Sequence, residues 1–318
     1  MKNRDFSLDY IKAFAIILVV MDHIIRNLDS PDNPIITFIY SIHMPLFFLV
    51  SGILSYKKQT NIHELFAFFI KKTKLLIPIV VFGLGNVLIL KQEIGEFLIW
   101  HKFGLWFLWT LFLFFCIYAV SQLYLIKNNN KVLEIIGLVI PVALCIALRT
   151  YQNTVLGGIF NALNLYNYTF FILGVCYKRY MENFINLEWV QLLLFIVYVV
   201  GLISQQTFLN IPMKACGVLF FLFVAKKLTQ GITETNLNKK EKTMVMIGQN
   251  SLYIYVLHYY LIIGIANAPK ILHDVIFFTP CIYIPFCFVL ALIIIITCIG
   301  IAKVLNVNKL VGLMIFGR

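Results

Sequence analysis

Three histidines stand inside apolar stretches of the chain: His23, His43 and His258. Imidazole is the side chain that exchanges a proton near neutrality, so buried imidazoles are candidates for acid–base work. An ionisable group inside a membrane-spanning helix costs about 2.5–3.5 kcal/mol on insertion scales and marks a functional site by default. The first apolar stretch holds four such groups, Asp9, Lys12, Asp22 and His23. At about 100° per residue, Lys12 and His23 differ by only about 20° around a helix, and Asp9 lies within about 40° of His23. One stripe therefore carries Asp9 and Lys12 at one end and His23 about 16 Å further along. Asp22 points about 100° away. Such a stripe faces protein or water rather than lipid. A core histidine satisfied by its neighbours, and interfacial placement of Asp9 and Lys12 with a snorkelling ammonium, are the plainer readings.

The second apolar stretch places His43 in Ser41-Ile42-His43-Met44-Pro45-Leu46-Phe47-Phe48, at a depth similar to that of His23, so the two rings can share a site. Pro45 frees a carbonyl one turn earlier and is expected to kink the helix. Ser51-Gly52 permits close helix approach. Near the C-terminus, Asn250 or Ser251 can cap a helix on which Ser251, Tyr255 and His258 share a face. That face is a bundle contact or a cavity wall. Trp106 and Trp109 form an aromatic belt or a platform for a sugar ring; Arg149 and Tyr151 read as interfacial anchors. Lys57, Lys58, Lys71, Lys72 and Lys74 cluster after the second stretch. They attract anionic headgroups or bind a phosphorylated cofactor, and Lys71 and Lys74 have the spacing of one helix face.

The elements that must position these residues are membrane helices. The 318 residues are 61% apolar and 13% charged, with a mean hydropathy of +0.90. Soluble chains carry about 25% charged residues, so a soluble enzyme, a nucleic-acid binder and a disordered scaffold are excluded. Apolar runs fall at roughly 8–28, 36–55, 75–90, 104–126, 132–150, 157–177, 190–206, 212–228, 250–267 and 279–302. At about 20 residues per span this is an all-α, polytopic bundle of about ten transmembrane helices in a single domain over 1–318, with no separate soluble domain. The third run extends back through an amphipathic stretch starting near Glu64, and 91–103 lies at the interface. The first run is too long for a signal segment and is retained. Of the 26 Lys and Arg, all but Arg26, Lys91, Lys102, Arg149, Lys214 and Lys270 fall on the side of the N-terminus. The positive-inside rule then puts both termini in the cytoplasm, and it accounts for the net charge of +12 without a nucleic-acid partner. The seven cysteines show no CxxC or Cys/His ligand spacing and read as small buried hydrophobes, so no metal is expected. Phosphate-loop, GxSxG, HExxH and GxGxxG motifs are absent, and no internal repeat is visible.

The pattern Leu8-Asp9-x-x-Lys12 followed by His23 resembles the acyltransferase-3 family of integral membrane acyltransferases. So do His43-Met44-Pro45-Leu46-Phe47-Phe48-x-x-Ser51-Gly52, Leu105-Trp106-Phe107-Leu108 and Ser251-Leu252-Tyr253-Ile254-Tyr255-x-x-His258. The resemblance implies a bacterial cytoplasmic-membrane, multi-pass enzyme. Such an enzyme moves an acyl group, usually acetyl, from cytoplasmic acyl-CoA to a hydroxyl of an extracytoplasmic or lipid-linked glycan. It implies functional roles at Lys12 and His23, and acyl-CoA use by a basic pair matching Lys71 and Lys74. The family usually has Arg at these basic positions, so a point charge replaces a planar fork. On this reading His23 is the general base or carries the acyl group, and Asp22 orients it. His43 positions the acceptor or donates to the oxyanion, and Lys12, Lys71, Lys72 and Lys74 hold acetyl-CoA. Trp106, Arg149, Tyr255 and His258 line the acceptor's path. A transporter of a small molecule or lipid-linked sugar, and a non-catalytic member of a polysaccharide assembly complex, are the competing classes.

Overall fold

The computed structural model describes residues 4–28, 34–56, 61–89, 104–128, 131–150, 164–185, 187–204, 206, 209–266 and 280–317. Every regular element among these residues is helical. Two helices, over Ile35–Ser55 and Tyr283–Leu305, are long and apolar enough to cross a membrane. Other helices turn large apolar side chains outward, as Leu192, Leu193, Ile196, Val200 and Ile203 do between residues 188 and 204. A surface of that kind is lipid-facing in character rather than water-facing. Lys57, Lys58, Tyr151 and the segment 91–103 lie outside the described residues.

The chain gathers into two compact units. The first comprises Met1–Val50 and Tyr177–Val304, and the second Ser51–Cys176 and Leu305–Arg318.

In the first unit, α1 (Phe6–Leu28) is the central element. It packs against α10 (Asn210–Leu228), α11 (Lys239–Gln249) and α12 (Ser251–Ala266). Its apolar residues are packed inside the unit: Ala13, Ala15, Ile16, Val20 and Ile25 have no exposed surface at all. The approach of α11 is set by Gly248, where a Cβ would overlap the backbone carbonyl oxygen of Asp9. An Asn238–Glu241 capping box starts α11 and fixes where that helix begins. The helix α9 (Glu188–Ser204) packs along α10. Its Tyr198 hydroxyl hydrogen-bonds Ser41 of α2 (Pro34–Ser55) at 2.8 Å. Pro45 does not interrupt α2, which runs as one helix through it. Also in this unit are α8 (Glu182–Ile185) and most of α13 (Pro280–Leu305).

Glu182 accepts hydrogen bonds from Lys178 at 2.7 Å and Lys226 at 2.6 Å. Burial opposes its charge, but the two ammonium groups outweigh it and hold its carboxyl below the usual value of 4.5. A depressed folded-state pKa gives stability that is present above the unfolded value and lost as pH falls through the folded one. The wild type is therefore expected to lose melting temperature as pH drops below 4.5. Glu182→Gln should lack that increment, and a melting series across this range at fixed salt checks it.

In the second unit, α3 (Ile62–Thr73) and α4 (Leu76–Ile89) replace the single extended run expected from Glu64 onward. Pro78 explains the break. It has no N–H to give the carbonyl of Lys74, and its ring crowds that carbonyl. The Lys74 carbonyl instead accepts from the Ile77 N–H at 3.2 Å. The helices α5 (Trp106–Asn128), α6 (Lys131–Thr150) and α7 (Tyr168–Cys176) complete this unit with α14 (Lys309–Phe316), which packs on α4. Phe114, Phe115 and Tyr118 meet Phe171 edge-on at centroid separations of 5.5–6.0 Å. Gly52 lies so close to the Phe171 carbonyl that no Cβ fits there.

Candidate active site

The first unit brings the three sequence-singled histidines to one region. The His23 ring lies 5.1 Å from that of His258, tilted by 44°. The Tyr259 ring meets His23 edge-on at 5.6 Å. His43 connects to this region through Tyr40, whose ring it meets edge-on at 5.1 Å. His43 and His258 are 5% and 2% exposed, and His23 is half-buried. Tyr255 is buried beside His258, with ring centroids 6.0 Å apart.

Two of these rings have an assigned tautomer. His43 Nδ1 lies 2.6 Å from the Ile39 carbonyl, and His258 Nδ1 lies 2.9 Å from the Ile254 carbonyl. A carbonyl only accepts, so each Nδ1 carries the hydrogen and each Nε2 presents a lone pair. The buried Nε2 of His258 has no hydrogen-bond partner among the described residues. A buried acceptor left unmatched is costly.

Asp22 turns to Arg26 rather than to an imidazole, accepting from its Nε at 3.1 Å. The Arg26 guanidinium lies 4.4 Å from the centroid of the Tyr40 ring, and Tyr40 meets His43 edge-on at 5.1 Å. At the other end of α1, the buried Asp9 carboxylate holds two cations. Lys12 is 2.7 Å from one oxygen and Arg4 2.8 Å from the other. The Gln249 side-chain oxygen accepts from Arg4 as well. Asp9 and Lys12 thus form one cluster with a residue that sequence reasoning did not single out.

The remaining sequence-derived candidates belong to the second unit. Lys71 is exposed in the last turn of α3, and Lys74 is exposed as its C-cap. The Lys72 ammonium lies over the Phe115 ring at 3.7 Å and 5.0 Å from that of Phe68. Trp106 opens α5, half-buried, 6.4 Å from the ring of Phe107. Arg149 lies in the last turn of α6, its side chain outside the described set. No group of three His, Cys, Asp or Glu side chains that could hold a metal ion occurs among the described residues.

Sequence reasoning missed Arg4, Tyr40 and Tyr259. The Asp22–Arg26 pair was available to it as an i,i+4 spacing. Arg4 precedes the helix, so no helical projection aligns it with Asp9.

Comparison with known proteins identifies a family for the sequence. The sequence model of the family described as "Acyltransferase domain" matches residues 5–301. Nodulation protein NolL of Sinorhizobium fredii (strain NBRC 101917 / NGR234) is 42% identical over 59 residues, which is 17% of this chain and 16% of that protein. The match therefore spans about a sixth of that relative's length. No solved structure matches the chain. With nearly its whole length covered by that family model, the chain belongs to the acyltransferase-3 family.

Proposed function

We infer that this protein is a membrane O-acyltransferase. It moves an acetyl or other short acyl group from cytoplasmic acyl-CoA to a hydroxyl of an extracytoplasmic or lipid-linked glycan. The observation that carries this reading is the imidazole pair of His23 and His258, 5.1 Å apart, in a chain of acyltransferase family. The reading also includes a single multi-pass domain of about ten spans in a bacterial cytoplasmic membrane, with both termini inside.

Acyl transfer to a hydroxyl needs a base, stabilisation of the oxyanion and alignment of the partners. The acceptor hydroxyl gives its proton to an imidazole nitrogen of His23, and its oxygen attacks the thioester carbonyl. The carbon–sulfur bond then breaks, and the leaving thiolate takes the proton back from the imidazolium. His43 positions the acceptor, and Tyr255 and His258 line its place. Trp106 and Arg149 serve the acceptor's outer approach. Lys12, Lys71, Lys72 and Lys74 hold the phosphates of CoA. Removing the exposed pair with Lys71→Gln and Lys74→Gln is expected to raise KM for acyl-CoA by about 3- to 10-fold. The effect should shrink at high ionic strength, because screening already weakens those contacts.

The test of the reaction is label transfer. Proteoliposomes with the wild type receive isotopically labelled acetyl-CoA or succinyl-CoA and host glycan extract. Label in the glycan supports the reading. Folded protein that transfers no label from either donor moves the weight to transport.

A further inference from the structure

We propose that Arg26 anchors an anionic acceptor, its guanidinium binding a carboxylate or phosphate group of the acceptor one helical turn beyond His23. This rests on the reading of the site given above and narrows its substrate class.

The guanidinium is built into place from two sides. Its Nε donates to Asp22, whose side chain is only 2% exposed. One face of the guanidinium is stacked on Tyr40, which in turn abuts His43. Both contacts leave the terminal nitrogens uncommitted. Nη1 and Nη2 donate to nothing among the described residues, and the side chain is 37% exposed. A pre-set pair of N–H donors in one plane matches the two oxygens of a carboxylate or phosphate. The rise from His23 to Arg26 is about 4.5 Å, so an oxyanion held there lies beside the reacting hydroxyl.

A snorkelling role is the competing explanation. An arginine near a helix end that served the bilayer surface would extend away from the membrane interior. Arg26 does the reverse. Its Nε turns back by one turn to a buried carboxylate on its own helix, and its guanidinium stacks on Tyr40, which abuts His43. The group is directed along the histidine region. An acidic sugar and a lipid-linked sugar diphosphate present the same oxyanion chemistry, so the experiment separates them.

Three probes are compared on wild type, Arg26→Lys and Arg26→Met in proteoliposomes: a uronic-acid oligosaccharide, its carboxyl-reduced neutral counterpart, and a polyprenyl diphosphate-linked sugar. Binding is read by calorimetry without acyl-CoA, so it does not depend on turnover, and KM and kcat are read with acyl-CoA. The wild type is expected to bind at least one anionic probe more tightly than the neutral one. Arg26→Met should weaken that probe by about 10- to 100-fold and leave the neutral probe within about twofold. Arg26→Lys should recover part of the loss, since it keeps the charge without the fork. Whichever anionic probe responds identifies the source of the oxyanion. Equal loss on neutral and anionic probes would overturn the proposal, as would a wild type with no anionic preference. So would an Arg26→Met effect confined to melting temperature or to the anionic lipid content of the vesicles, the mark of a headgroup contact. Absence of label transfer alongside intact, Arg26-dependent anion binding would count against the acyltransfer reading and leave this one standing.

Discussion

Membranes carrying His23→Ala are expected to transfer at most about one-hundredth of the label moved by wild-type membranes at equal protein level. Loss of a positioned general base costs about 10²- to 10⁴-fold. The ring is half-buried and meets two aromatic neighbours, so its removal also takes away packing. Melting temperature in detergent separates the two effects. A folded, inactive variant supports chemistry at His23. Full transfer by a folded variant removes His23 from the reaction and turns attention to His43 and His258. The partner variant His258→Gln keeps a polar side chain but not a basic nitrogen. On this reading it loses less than His23→Ala does, because it lines the acceptor's place rather than taking the proton.

Gly248→Ala is expected to lower stability by about 1–3 kcal/mol, the usual cost of forcing an extra methyl group into a packed contact. The atom in the way is the Asp9 carbonyl oxygen, part of the α1 backbone, which cannot rotate aside like a side chain. Relief requires α11 to move away from α1. That movement also disturbs Arg4, Asp9 and Lys12, since Arg4 reaches towards Gln249 in the same turn as Gly248. A drop in melting temperature should therefore come with a higher KM for acyl-CoA. Gly300→Ala is the control, because an added Cβ there meets nothing within 4 Å. If Gly248→Ala melts and functions like Gly300→Ala, the close approach does not constrain the protein.

Some of this was legible in the sequence. The apolar run from Leu8 to Leu28 is α1, and the helical spacing of Asp9 and Lys12 gives the ion pair between them. The matched depth of His23 and His43 suggests a shared site; the structure links His43 to Tyr40, and Tyr40 to Arg26 of α1. Gly52 as a contact for close approach was readable from its small-residue context, though not its counterpart at the Phe171 carbonyl, more than a hundred residues on. What escaped was tertiary or lay at helix ends. The meeting of His258 with His23 depends on how α12 docks on α1, which no local pattern encodes. The break before α4 had a local cause in Pro78, but the surrounding apolar run masked it. Among the described residues only two helices meet the length and apolarity of a full crossing, fewer than the ten apolar runs read from the sequence.

The bonds from His43 and His258 to the carbonyls of their own helices have a consequence for energy coupling. A ring whose Nδ1–H is spent on a backbone carbonyl cannot accept a proton at one nitrogen and pass another on from the opposite side without breaking that bond. Neither ring is built as a stepping stone of a proton wire. A proton taken at Nε2 leaves from Nε2, so each ring borrows and returns within one turnover. On the proposed reaction these two rings relay no proton across the bilayer, and an acyl thioester would supply the driving force.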